Sequence, residues 1–223
     1  MEPSAHIPIL RRAGVVLIVV GALDIAVMVY CIIRGISYSS SLNVFAVVAG
    51  VFLVRGSLAA AGLVRWFSAF LLAGLCALAL AWPVVQPFDL TLTQIRLDPT
   101  AAALSALVLV ALGCLFLWLQ RQLGRPPVLA AAEAAGKKVR SMRLPVAAGA
   151  GIVVLLAAAL PFTLGGESAA RAKAVAQEQL GTGFKYHVSS LSVASTGTGT
   201  AVSARVTAWN GNEVRVVPVE WSE

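Results

Sequence analysis

Apolar sequence runs almost without interruption from residue 42 to residue 85, and further stretches of the same character occupy 13–33, 101–120 and 145–164. A hydrocarbon layer about 30 Å thick is crossed by roughly 20 apolar residues wound into a helix, which satisfies its own backbone donors and acceptors. Composition agrees with the pattern. Hydrophobic residues make up 59% of the chain and charged residues 12%, whereas an ordinary soluble domain carries about a quarter charged residues. A soluble domain of 223 residues has no interior large enough for so much apolar surface. The same excess excludes disorder. The chain reads as an integral membrane protein.

The long run is divided at Arg65, which gives five predicted helices at 13–33, 43–64, 66–85, 101–120 and 145–164. Trp66, Trp82 and Trp118 fall at predicted ends, where amphipathic indoles favour the headgroup layer. Pro145 suits a first helical turn, and Pro161 is expected to stop or kink the fifth helix. An alternative for the second span ends the crossing at Val54 and lays 55–65 along the membrane surface. The first span is read as a retained helix, because it is longer than the apolar core of a signal peptide and contains Asp24.

The net charge of +7 raises the question of nucleic acid, but its distribution answers differently. Arg11, Arg12 and Arg65 flank the first three spans, and 121–143 adds Arg121, Arg125, Lys137, Lys138, Arg140 and Arg143 against Glu133. Basic residues in short loops remain in the cytoplasm. Five crossings from a cytoplasmic N-terminus place all of them there, whereas four crossings cannot. The outer loops hold Arg34 and Arg96 against Asp89 and Asp98, and 165–223 is charge-balanced. The excess therefore reports orientation, and no aromatic interleaving or binding module accompanies it to suggest nucleic acid.

Two charges fall inside predicted spans. Asp24 is twelve residues from Arg12, and Arg55 is ten from Arg65. At about 1.5 Å per residue their depths differ by about 3 Å, so an Asp24–Arg55 intramembrane ion pair is expected, as an ion or proton site or as a structural clasp, the alternative being an Arg55 that snorkels to the cytoplasmic interface. Small residues four apart, Ala22 and Ala26, Gly56 and Ala60, Ala147 and Gly151, are candidate close-packing points. Cys31, Cys76 and Cys114 have no C-x-x-C spacing and are read as small buried hydrophobes.

The loop at 121–143 contains Pro126 and Pro127 and then an alanine-rich stretch, 128–135, predicted as a short helix. Its basic residues enforce topology and can attract anionic lipid. In the outer loop, 86–100, Phe88, Leu90 and Leu92 alternate with Asp89 and Thr91, which predicts a short extended piece able to dock the C-terminal domain or lie on the membrane.

After Gly165 and Gly166 the character changes, and 165–223 reads as a small α+β domain on the extracytoplasmic side of a transmembrane domain, 1–164. An amphipathic helix at 168–180, with Ala172, Val175, Ala176 and Leu180 on one stripe, is closed by Gly181. A three-stranded antiparallel meander follows. Phe184, Tyr186 and Val188 have the opposite parity to Leu191 and Val193, which predicts a bulge near Ser189 and Ser190. A turn is expected at 196–200, and Asn210, Gly211 and Asn212 mark a second hairpin. A two-residue loop there pairs even positions with odd, so Val202, Ala204, Val206 and Ala208 share a core face with Val217, Val219 and Trp221. The opposite face, Arg205, Thr207, Trp209, Val214 and Val216, is the candidate interaction surface, and Pro218 marks an edge strand.

Catalytic and phosphate-loop motifs are absent from the sequence, and His6 and His187 stand alone, so no catalytic residue, metal or cofactor is expected. The layout resembles that of bacterial inner-membrane proteins with a small exported domain. The expected function is non-enzymatic: presentation of that periplasmic domain for protein interaction, assembly or sensing. The expected partners are the lipid bilayer and a membrane or periplasmic protein. The alternative is a transporter or channel component using Asp24 and Arg55.

Overall fold

The structure, a computed structural model, describes residues 5–35, 43–137, 140–196 and 199–222. The expected loop at 34–42, Lys138 and the tip of the turn at 196–200 fall wholly or partly outside them. The elements run α1 (Ile7–Ile33), α2 (Asn43–Val54), α3 (Leu58–Val85), α4 (Phe88–Leu97), α5 (Pro99–Leu123), α6 (Pro126–Ala134), α7 (Arg143–Leu164), α8 (Glu167–Leu180), β1 (Lys185–Thr196), β2 (Gly199–Trp209) and β3 (Val214–Ser222).

Among the described residues four helices, α1, α3, α5 and α7, are long and apolar enough to cross a membrane, at 22 to 28 residues each. Their most apolar windows are only 6% to 17% buried by protein, and Leu80 and Phe162 are 84% and 86% exposed. Leucine and phenylalanine spread over whole helix surfaces in this way need an apolar surround, which is the physical case for a membrane location. Cys76 and Cys114 share these outward surfaces, contrary to the expectation that they are buried, and Cys31 is half-buried.

The second predicted span is corrected. Instead of a helix over 43–64 and a turn at Arg65, α2 stops at Val54 and α3 starts at Leu58. Gly56 adopts φ +81°, the left-handed conformation that ends helices. Its N–H donates to Leu53 O at 2.9 Å, and the Ser57 N–H donates to Phe52 O at 3.0 Å, closing a Schellman motif. Ser57 Oγ then accepts the Ala60 N–H at 3.3 Å and caps the start of α3. The alternative reading placed the end of this helix correctly at Val54, but 58–65 belongs to α3 rather than to a separate surface segment. Trp66 is consequently an interior residue of α3, stacked on Phe70 at 5.8 Å.

The described residues form two compact units. The first comprises residues 1–73 and 112–149. Its core is Leu10, Ala13 and Leu17 of α1, Leu53 of α2, Ala61 and Val64 of α3, Leu119 and Leu123 of α5, and Val128 of α6. The predicted short helix after Pro127 is thus present as α6. α1 and α2 pack antiparallel, with Gly14 against Gly50 and Val54, and Gly50 against Gly14 and Ile18.

The second unit comprises residues 74–111 and 150–223. Its sheet has the order β1-β2-β3, antiparallel throughout. The predicted register holds: Ala204 pairs with Val219 and Val206 with Val217, and the β1 register shifts between Val188 and Ser190. α8 supplies Ala169, Ala172 and Ala176 to a core with Val188, Ala204, Val206 and Val219. Gly181, at φ +82°, ends it. α7 continues through Pro161 to Leu164. The extended piece predicted at 86–100 is instead the helix α4. Pro87 caps it, Asp89 lies in its first turn and Arg96 in its last, each charge matched to the helix dipole. Asp98 Oδ1 then accepts the Ala101 N–H at 2.9 Å and the Thr100 hydroxyl at 2.7 Å, capping α5. These hydrogen bonds hold its carboxyl below the usual range.

Candidate functional site

The antiparallel packing of α1 on α2 separates the expected intramembrane pair. Asp24 lies ten residues beyond Gly14 toward the C-terminus of α1, and Arg55 lies five residues beyond Gly50 in the opposite direction. At 1.5 Å per residue this puts them about 22 Å apart along the helices. Asp24 is half-buried and has an interaction of its own. Arg55 follows the last residue of α2 and is exposed at the end of the unit that carries Arg11 and Arg12. Equal depth for the two charges requires one uninterrupted helix back from Arg65, and the turn at Gly56 removes that helix.

The predicted interaction face of the sheet is partly occupied from within its own unit. Thr207 and Trp209 are 7% and 6% exposed, although α8 covers the other face. Trp209 lines a cleft of about 440 Å³ together with Asp89, Leu92, Thr93 and Arg96 of α4 and Phe184 and Lys185 at the start of β1. An ion pair between Lys185 Nζ and Asp89 Oδ2 ties β1 to α4. Both side chains are more than 60% exposed, so water screens the pair and it fixes position more than it stabilises. Ser189 Oγ and Thr207 Oγ1 hydrogen-bond at 2.6 Å across the bulge. Arg215 covers the Phe184 ring at 5.8 Å and is held by Glu213 at 2.8 Å. The rest of the predicted face remains open: Val216 is 60% exposed, Arg205 is exposed and Val214 half-buried.

His187 pairs with Thr207 on this face. Burial pushes its imidazole below the ordinary value, the Lys173 charge adds to the shift, and a hydrogen bond with the Val85 backbone opposes it. His187 is therefore half-buried where the sheet meets the end of α3. Among the described residues no three His, Cys, Asp or Glu side chains gather into a metal-binding group.

A second cavity, of about 540 Å³, lies in the first unit. Ser57, Leu58, Ala61 and Arg65 from the start of α3 line it, with Phe52 of α2, Leu123 of α5, Val128 of α6, and Lys137, Arg140 and Met142 beyond. The Arg65 guanidinium passes Gly124, where an added methyl group would sit 3.5 Å from its Nε. That Nε is buried and has no hydrogen-bond partner among the described residues. Sequence reasoning used Arg65 only as a marker of membrane topology. The signal for more was its place inside unbroken apolar sequence, a position where a lone charge is costly.

Comparison with protein-family models, curated proteins and solved structures returned no match to this chain.

Proposed function

We propose that the chain is a non-enzymatic multi-pass protein of a bacterial inner membrane that presents its α8–sheet module on the extracytoplasmic side to a protein partner, for assembly or sensing. In this reading α2, although only 12 residues long, belongs to a second crossing, because its antiparallel course brings the chain back toward the end of α1 that carries Arg11 and Arg12. Five crossings then put the C-terminal module outside. Arg55 joins the cytoplasmic set, so the positive-inside bias is stronger than the sequence alone suggested.

The observation that carries the partner-binding reading is the division of the sheet's outer face. Trp209 is buried and lines a cleft with α4, and Thr207 is buried beside Ser189, while Val216 and Arg205 are exposed and Val214 is half-buried on the same face. An exposed apolar residue with a flanking cation on a strand face suits a modest protein interface. The transport reading gains nothing from Asp24 and Arg55, which the α1–α2 packing holds apart.

Photo-crosslinkers at Val216 and Arg205, with Glu178 on α8 as control, test the interface in intact membranes. One reproducible adduct from 216 and 205 that is absent from 178 supports it, and equal labelling or none at all three rejects it. Orientation is tested separately in a chain whose native cysteines are replaced by alanine. Val216→Cys should react with an impermeant maleimide in intact cells, and Ala130→Cys only after permeabilisation. The reverse pattern overturns the topology.

A further inference from the structure

We infer that the cavity around Arg65 binds the phosphate headgroup of an anionic membrane lipid, an inference that rests on the membrane reading of the apolar helices but not on their orientation.

The charge of the site is one-sided. Arg65, Lys137 and Arg140 line it and no carboxylate among the described residues does; Glu133 on the neighbouring α6 is exposed and outside the lining. Clustered cations repel one another, and a phosphate among them relieves that repulsion while accepting charge-assisted hydrogen bonds. The first turn of α3 adds a fixed contribution. Residues 57–60 line the cavity, and the start of a 28-residue helix presents free N–H groups and the positive end of the dipole.

Arg65 supplies an independent reason. Its buried Nε has no hydrogen-bond partner among the described residues, a state that is costly for a guanidinium nitrogen. Arg65 lines the cavity and is half-buried, so an anion there can accept from the remaining N–H groups of its guanidinium.

The walls argue for a lipid rather than a soluble anion. Phe52, Leu58, Leu63, Leu123, Leu129 and Met142 make most of the lining apolar. Phe52 and Leu63 are also 48% and 52% exposed on the outside of their helices, so the apolar wall continues onto a surface suited to acyl chains. A cationic pocket opening onto such a surface matches an amphiphile with a phosphate head. Three cations favour a lipid with two phosphates over one with a single phosphate.

The test uses the full chain purified in detergent. Cardiolipin, phosphatidylglycerol and phosphatidylcholine are titrated and bound lipid is counted by native mass spectrometry, in the wild type and in the double variant Lys137→Gln/Arg140→Gln. Both substituted residues are exposed, so the fold should survive. The wild type is expected to hold cardiolipin at least tenfold tighter than phosphatidylcholine. The double variant is expected to lose about thirtyfold, equivalent to about 2 kcal/mol. The thermal shift produced by cardiolipin in the wild type is a second readout that requires no variant. Equal binding of phosphatidylcholine, or an unchanged double variant, overturns the inference. Displacement of the lipid by an equal concentration of inorganic phosphate overturns the lipid as occupant. Stable solubility of the chain without detergent would instead sink the membrane reading itself.

Discussion

Replacing Gly14 with alanine should loosen the junction of α1 and α2. A Cβ at Gly14 would lie 2.6 Å from Gly50 O and 2.8 Å from both the backbone N and the Cγ2 of Val54, whereas ordinary contact begins near 3.4 Å. The deficit is roughly 0.8 Å, and two of the three opposing atoms are backbone, which no rotamer change can move. The helices must part, and van der Waals contact is what holds membrane helices together. Overpacking of this kind costs about 1–3 kcal/mol. Gly50→Ala meets Gly14 O at 2.7 Å and should cost the same. Both substitutions force one separation, so the double variant should be less destabilised than the sum of the singles. Gly151→Ala is the control, because nothing lies within 4 Å of its Cβ and alanine favours a helix by about 1 kcal/mol. Unfolding by a denaturing detergent, followed by circular dichroism, measures all four variants. If Gly14→Ala unfolds at the same detergent fraction as Gly151→Ala, the close crossing is not formed and the separation of Asp24 from Arg55 loses its basis.

Trp209→Ala should destabilise the second unit by about 3–5 kcal/mol through loss of a buried aromatic, whereas Lys185→Ala, which removes only an exposed ion pair, should cost less than about 1 kcal/mol; thermal melts of the two variants decide which contact holds α4. Gly56→Ala should cost about 1–2 kcal/mol from the left-handed backbone alone, since no atom lies within 4 Å of its Cβ, and Gly62→Ala, with equal space in a regular helix, should not. His187 is held below its usual pKa in the fold, so its contribution is full above the unfolded value of about 6.5 and is lost as pH falls through that value toward the folded one. The melting temperature of the wild type should therefore drop more between pH 7.5 and pH 5 than that of His187→Asn, and parallel curves would refute this.

Where the expectations held, one physical cause acted at one scale. Strand register followed parity, and parity survived even though the hairpin loop has four residues, 210–213, instead of two: both lengths are even, so Val206 still faces Val217. The bulge followed from the same reasoning, since two apolar runs of opposite parity cannot share a face without an added residue. Where the expectations failed, two scales competed. In 88–92 the alternation suggested a strand, but Leu90, Thr93 and Leu97 are also spaced for one helical face, and the acid at the start and base at the end are helix signals. Five residues of alternation are too few to outweigh them. The larger difference, between residues 42 and 85, lies in a turn that hydropathy does not locate. Hydropathy reports the solvent a segment prefers and is silent on its backbone, so it marks Arg65 as the more conspicuous break and passes over Gly56. The backbone signal was nonetheless present: a glycine able to take φ +81° stands directly before a serine able to cap a helix. Moving the turn by nine residues changes the chemistry as well as the geometry. It puts Arg55 just past the end of α2, far along the helices from Asp24, and puts Arg65 inside α3, where it lines a cavity with Lys137 and Arg140.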